Sequence, residues 1–98
     1  MSNSTFTAAF VTSSAIEFIA FNSNTGVLRV MFTSGVMYDY SGCTMSDFEN
    51  LATAESVGRE FQWIRNTCNY LRVEAAQAAR FLTALARART SGFISVEA

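Results

Sequence analysis

The chain has no histidine and no lysine, only two cysteines, and few charges of either sign. Without histidine, the commonest general base and the commonest metal ligand are both missing. Cys43 and Cys68 are not part of a CxxC pair, whereas a zinc site needs about four nitrogen or sulfur ligands. No metal and no cofactor is therefore expected. Neither thiol has an evident activating base, no serine has a lysine or histidine to help it, and no carboxylates pair at meaningful spacing. The expectation is a protein that is not an enzyme. A formal net charge of −1 leaves no overall positive field to gather nucleic acid. No apolar run approaches the roughly 18 to 20 residues that span a bilayer, so no membrane partner is expected. Met1 to Val11 lacks the basic residues of a signal peptide. One disulfide is formally possible, but nothing else marks a secreted chain, and the reading is a cytoplasmic protein with two buried free thiols.

What is present is hydrophobic and aromatic. Half of the 98 residues are apolar and 13 % are aromatic. That is one domain's length and excludes intrinsic disorder, which requires low hydrophobicity and high net charge. Thr7 to Thr12 has strand composition and is expected as a first edge strand. Ala15 to Phe21 alternates, with Ile16, Phe18 and Ala20 on one face and Glu17, Ile19 and Phe21 on the other. Asn22 to Gly26 then suits a hairpin loop. Val27 to Thr33 places Leu28, Val30 and Phe32 opposite Arg29. After a turn at Ser34-Gly35, Val36 to Tyr40 places Val36, Tyr38 and Tyr40 opposite Asp39. These short connections predict an antiparallel meander.

Helical chemistry follows. Ser46-Asp47-Phe48-Glu49 has the form of a capping box, and a short helix should run to about Ala54. Ser56 can cap a second helix, with Gly58 in its first turn permitting a close approach. From there Val57, Phe61, Ile64, Cys68, Leu71, Ala75, Ala78, Leu82 and Leu85 step alternately by four and three residues. That is the seam of a coiled coil. An unbroken helix over 57–89 would be a rod of roughly 50 Å, too long for this chain to cover alone. It would make Phe61, Ile64, Leu71, Ala75, Ala78, Leu82 and Leu85 a homo-oligomerisation surface, with a dimer as the minimum. Asn66-Thr67-Cys68-Asn69 has poor helix propensity, so a break into two helices is the competing reading. Ser91-Gly92 should stop the helix, and Phe93 to Val96 could add a short strand, to this sheet or to that of another subunit. The fold class expected is α+β. It comprises an antiparallel sheet of three to five strands, a short helix and a long C-terminal helix, continuous or broken near Asn66.

Residues 13–70 carry an ordered set of features. It begins with Ser13-Ser14 before a core strand, then the Phe21 to Gly26 hairpin, Leu28 to Phe32 and Gly35. Tyr38-Asp39-Tyr40 follows, then Leu51 with Ala54, and last Ser56-Val57-Gly58-Arg59-Glu60-Phe61. In this order they resemble the KTSC domain, a short bacterial and phage module that stands alone or ends some lysyl-tRNA synthetases. The resemblance implies no catalytic activity, and RNA binding has been suggested for the family. Thr44 stands where the family usually has proline, and Arg59 where it usually has lysine. The resemblance divides the chain into an N-terminal segment (1–12), a KTSC-like domain (13–70) and an Ala-rich oligomerisation helix with a short tail (71–98).

Four groups are candidate binding residues. Ser56, Gly58 and Arg59 open a helix with free amides and a cation, which suits an anion. Arg65 belongs to an arginine-rich half of the chain, and arginine grips phosphate bidentately. Tyr38 and Tyr40 share a strand face, and exposed they would stack on a base; buried they would be core. Trp63 lies off the seam, and packing against the sheet competes with stacking on a ligand. The leading expectation is a homo-oligomeric protein holding a small phosphate-bearing ligand such as a nucleotide near subunit contacts. A phage protein sequestering a nucleotide signal would be one form of it. A structural or protein-interaction module without a small ligand is the alternative. RNA binding comes third, because a pI near 5.2 fits a small nucleotide better than a phosphate polymer.

Overall fold

A computed structural model of the protein describes residues 5–88 and 93–97. Among them are β1 (Thr5–Phe10), β2 (Ile16–Asn22), β3 (Val27–Phe32), β4 (Met37–Tyr40), α1 (Met45–Ala52), α2 (Val57–Thr67), β5 (Tyr70–Arg72), α3 (Ala75–Ala88) and β6 (Ile94–Glu97). The fold is α+β as expected. Its one sheet is antiparallel throughout, in the order β5-β4-β3-β2-β1-β6. The sheet has six strands rather than three to five because both C-terminal short segments add to its edges. β1 is an interior strand, not an edge, and β6 pairs with β1 of the same subunit rather than with another copy.

Helices cover both sheet faces. On one, α1 and α2 bring Phe48, Leu51, Val57, Phe61 and Ile64 onto Ile19, Phe21, Leu28 and Val30. On the other, α3 brings Phe81 and Leu85 onto Phe6, Phe18, Ala20 and Met37. Alternation in β3 and β4 sorts side chains between these faces as their patterns predict. In β2 it does not, because the β2–β3 register shifts between Ile16 and Phe18. That bulge turns Ile16 to the face of Ile19 and Phe21, away from Phe18. Between β3 and β4, Gly35 adopts φ 95° and donates its N–H to the Phe32 carbonyl at 2.9 Å. A side chain there would be strained.

The regular seam is dismantled by the tertiary structure. Cys68 adopts extended angles (φ −96°, ψ 146°) and caps α2, its N–H donating to the Ile64 carbonyl. The chain then runs along the sheet edge as β5 and crosses to the opposite face as α3. Phe61 and Ile64 therefore lie in one core, Leu85 in the other, and Leu71 is 77 % exposed on β5. Ala75 is exposed, Ala78 partly covered, and Leu82 38 % exposed. With dimensions of 31 × 26 × 24 Å, the subunit contains no 50 Å rod. The break read at Asn66–Asn69 is the one that forms. Arg89, Ser91 and Gly92 lie outside the described residues.

The cap of α1 lies two residues earlier than expected, at Thr44 instead of Ser46. Thr44 accepts the Asp47 N–H on its hydroxyl, and the Asp47 carboxylate accepts the Thr44 N–H, completing a capping box. The residue standing where the KTSC pattern has proline is thus itself the cap. Ser56 caps α2 as expected, accepting the Arg59 N–H at 3.4 Å.

Beneath α3 lies a buried charge. Arg29 is 4 % exposed, and its guanidinium makes two hydrogen bonds to Asp39, directly opposite on β4, at 2.7 and 2.9 Å. The guanidinium carbon also sits 4.6 Å from the Phe6 ring centroid and 4.9 Å from that of Phe81. Removing one partner of such a pair leaves an uncompensated buried charge, at a cost of about 3 kcal/mol or more. Asp39→Ala is expected to lower stability by about that amount in urea denaturation. Arg29→Met combined with Asp39→Leu should cost much less than Asp39→Ala. A single-variant loss under about 1 kcal/mol would mean that water screens the pair as at a surface.

Candidate functional site

One helical stripe of α2 faces an open groove. Gly58, Phe61, Gln62, Arg65 and Asn66 fall at i, i+3, i+4, i+7 and i+8, and all five line it. The opposite wall is Ser14 to Ile16 together with the β3–β4 turn, from Phe32 to Ser34 and Val36. Tyr38 and Tyr40 on β4 and Tyr70 on β5 complete a space of 880 Å³. That is the size of a small-molecule site.

The aromatic rings interlock. Tyr40 meets Phe61 edge-on at 5.2 Å, and Phe32 meets Phe61 at 5.8 Å and Tyr38 at 6.1 Å. Tyr70, opposite Tyr40 in the β4–β5 register, lies 5.6 Å from Tyr38 and 5.7 Å from Tyr40. Exposure is graded along this set. Tyr40 is buried, Tyr38 half-buried, and Tyr70 is 59 % exposed.

The groove has a charge bias that the whole protein lacks. Among the described residues, Arg65 is the one charged side chain that lines it, and no carboxylate does. Arg65 has no ion-pair partner among them either, the Arg29–Asp39 bridge being the pair present. Gln62 and Asn66 add amide donors and acceptors, and Ser14, Thr33 and Ser34 add hydroxyls. Among the described residues, no three His, Cys, Asp or Glu side chains cluster to hold a metal ion.

Four of the expected binding residues meet in this groove: Tyr38, Tyr40, Gly58 and Arg65. Three do not line it. Ser56 caps α2, Arg59 is exposed, and Trp63 is 58 % exposed instead of packing on the sheet. The close approach expected at Gly58 is absent, since a Cβ placed there meets nothing within 4 Å. Sequence reasoning misses Tyr70, because one continuous helix over 57–89 puts it off the seam. The poor helix propensity of Asn66 to Asn69 is the signal that a new element begins there.

With this geometry in place, comparison with known proteins decides the family. The sequence model of the KTSC domain matches residues 12–66, more than half of the chain. The chain belongs to the KTSC domain family. The crystal structure of a KTSC domain protein from Yersinia pestis is similar, with a TM-score of 0.64 and 25 % sequence identity. The match covers 68 % of this chain and 96 % of that one. No curated protein matches the sequence. The groove lining except Tyr70 comes from the KTSC stretch, whereas β5, α3 and β6 follow it.

Burial raises the pKa of Tyr40 above its ordinary 10.0, the nearby Arg65 charge opposes that rise, and Tyr38 and Tyr70 add to it. A phenol whose folded pKa is raised contributes stability that is intact below the unfolded value and lost as pH rises past it. Tyr40→Phe should therefore lose less stability than the parent above pH 10, and the two should run parallel below it. Urea unfolding across pH 8 to 11 measures the difference, and parallel curves throughout would show a solvated phenol.

Proposed function

We propose that this KTSC protein is a non-catalytic binding protein whose α2–β4–β5 groove holds a small ligand with an aromatic base and a phosphate. The supporting observation is the coincidence in one groove of an exposed Tyr70, an unpaired Arg65 and no carboxylate among the described residues. A base stacks on the tyrosine, with a contribution of about 1 to 3 kcal/mol. Gln62 and Asn66 address the base edge, and Arg65 takes the phosphate. One cation suits one or two phosphates, whereas a long RNA would call for a row of them.

Gly58 fits the same reading. Glycine within a helix costs up to about 1 kcal/mol relative to alanine, and here no packing demand accounts for it. The space above it belongs to the groove. Gly58→Ala is expected to raise stability, by up to about 1 kcal/mol, while weakening ligand binding. Loss of stability in thermal unfolding would contradict the open space at this position.

Self-association is part of the proposal, and it rests on exposed Leu71 and Leu82 rather than on a rod. A cytoplasmic location is likewise proposed. Among the described residues no helix is long and apolar enough to cross a membrane. An interaction module without a small ligand is the second reading, favoured by β5, an edge strand whose three residues are all exposed.

Calorimetric titration with nucleoside monophosphates and diphosphates, with the matching nucleosides and inorganic phosphate as controls, tests the proposal. Arg65→Glu should abolish binding of the phosphorylated forms, and Tyr70→Ala should weaken it about tenfold or more. Native mass spectrometry of protein from bacterial cells reads the oligomer and any bound mass. No nucleotide uptake in either experiment leaves the interaction module. Affinity for oligoribonucleotides alone, falling steeply with salt, would favour RNA.

A further inference from the structure

Cys43 and Cys68 lie 25 residues apart in sequence, but the fold places their sulfurs 3.9 Å apart. Both are free thiols, Cys43 buried and Cys68 half-buried. The surrounding backbone fixes this approach. Cys43 donates its N–H to the Gly26 carbonyl, Cys68 donates to the Ile64 carbonyl, and Ser41 donates to the Asn69 carbonyl, each at 2.9 Å. The last of these bonds joins the two segments directly beside the sulfurs. A disulfide needs a sulfur separation of about 2.05 Å, so closure requires the sulfurs to approach by side-chain rotation between anchored backbones.

We propose that Cys43 and Cys68 form an oxidation site, which a peroxide converts to an intramolecular disulfide tying the C-terminal end of α2 to the β4–α1 loop. Cys68, which reaches solvent, attacks first. Its thiolate sulfur bonds to one peroxide oxygen, the O–O bond breaks, and hydroxide leaves and is protonated to water. The product is a sulfenic acid on Cys68. The Cys43 sulfur then attacks the Cys68 sulfur, the S–O bond breaks, and hydroxide departs with the Cys43 proton as a second water. Two electrons pass from the two sulfurs to one hydrogen peroxide. Burial, with the neighbouring Cys68 next in effect, pushes the Cys43 thiol up to about 12. Cys43 is therefore held protonated, which leaves the first attack to Cys68 and requires Cys43 to give up its proton as it attacks the sulfenic acid.

The bond would clamp the corner from which Asn66 and Tyr70 enter the groove. The oxidation itself does not depend on any ligand, so its test stands apart from that of the binding proposal. Folded, reduced protein is treated with hydrogen peroxide, then assayed by thiol titration, intact mass and thermal unfolding. The expected result is loss of both thiols, a decrease of about 2 Da in a chain that stays monomeric on a non-reducing gel, and a Tm higher by on the order of 10 °C. Dithiothreitol should reverse all three. In Cys43→Ser, Cys68 should instead stop at the sulfenic acid, trapped by dimedone. Two thiols persisting after treatment, or oxygen added to Cys68 while Cys43 stays free, would overturn the proposal. So would a covalent dimer in place of the monomeric disulfide.

Discussion

A guanidinium enclosed by protein must have its charge answered, or several kcal/mol are lost. Arg29 sits on β3, in the middle of the sheet, and three other elements meet that demand together. β4 supplies Asp39 directly across the ladder, and β1 and α3 supply the Phe6 and Phe81 rings that enclose the cation. A slip of one residue between β3 and β4 would turn Asp39 to the opposite face. Register, strand order and the seating of α3 are therefore coupled through one side chain. The rings do two things at once, because Phe81 also packs on Phe6 at 5.1 Å and on Phe18 at 5.9 Å.

The two sheet faces have different characters. Under α3 the contacts close over the Arg29 pair. Under α2 the helix covers only part of its face, and the uncovered part is the aromatic groove. The KTSC stretch builds nearly all of that groove. The segment after it contributes Tyr70 at one edge and α3 across the other face. In this way an extension that lies mostly behind the sheet still alters the front, through the single strand β5 by which the chain crosses over.

Much of this architecture is legible in the order of the amino acids. Strict alternation in β3 and β4 sorts Leu28, Val30, Tyr38 and Tyr40 from Arg29 and Asp39, because a strand repeats every two residues. Ser56 is legible as a cap, and the ordered motifs from Ser13 to Phe61 point to the KTSC family. The departures arise where a local pattern is satisfied by something other than its usual cause. The α1 cap falls at Thr44 because Thr44-x-x-Asp47 fulfils the capping geometry as well as Ser46 and Glu49 would. Ile16 changes faces because a bulge costs one residue of alternation without leaving a mark in composition. The heptad spacing over 57–85 runs through two helices on opposite sides of the sheet, and it coincides only in part with the buried stripe of α3, which is Phe81 and Leu85 rather than Ala75 and Leu82.

By itself the sequence determined the element types apart from the strand β5, the faces of β3 and β4, the α+β class and the family, since each follows from short-range periodicity, capping chemistry and ordered motifs. Tertiary structure alone decided that α2 and α3 pack on opposite faces of the sheet and that Tyr70 joins the tyrosines of β4. It alone brought Cys43 and Cys68 within 3.9 Å, and left Arg65 without a carboxylate partner among the described residues. Those are relations between residues distant along the chain. They depend on how the sheet edge, the helices and the crossing strand share space, and no local preference of the residues themselves encodes that.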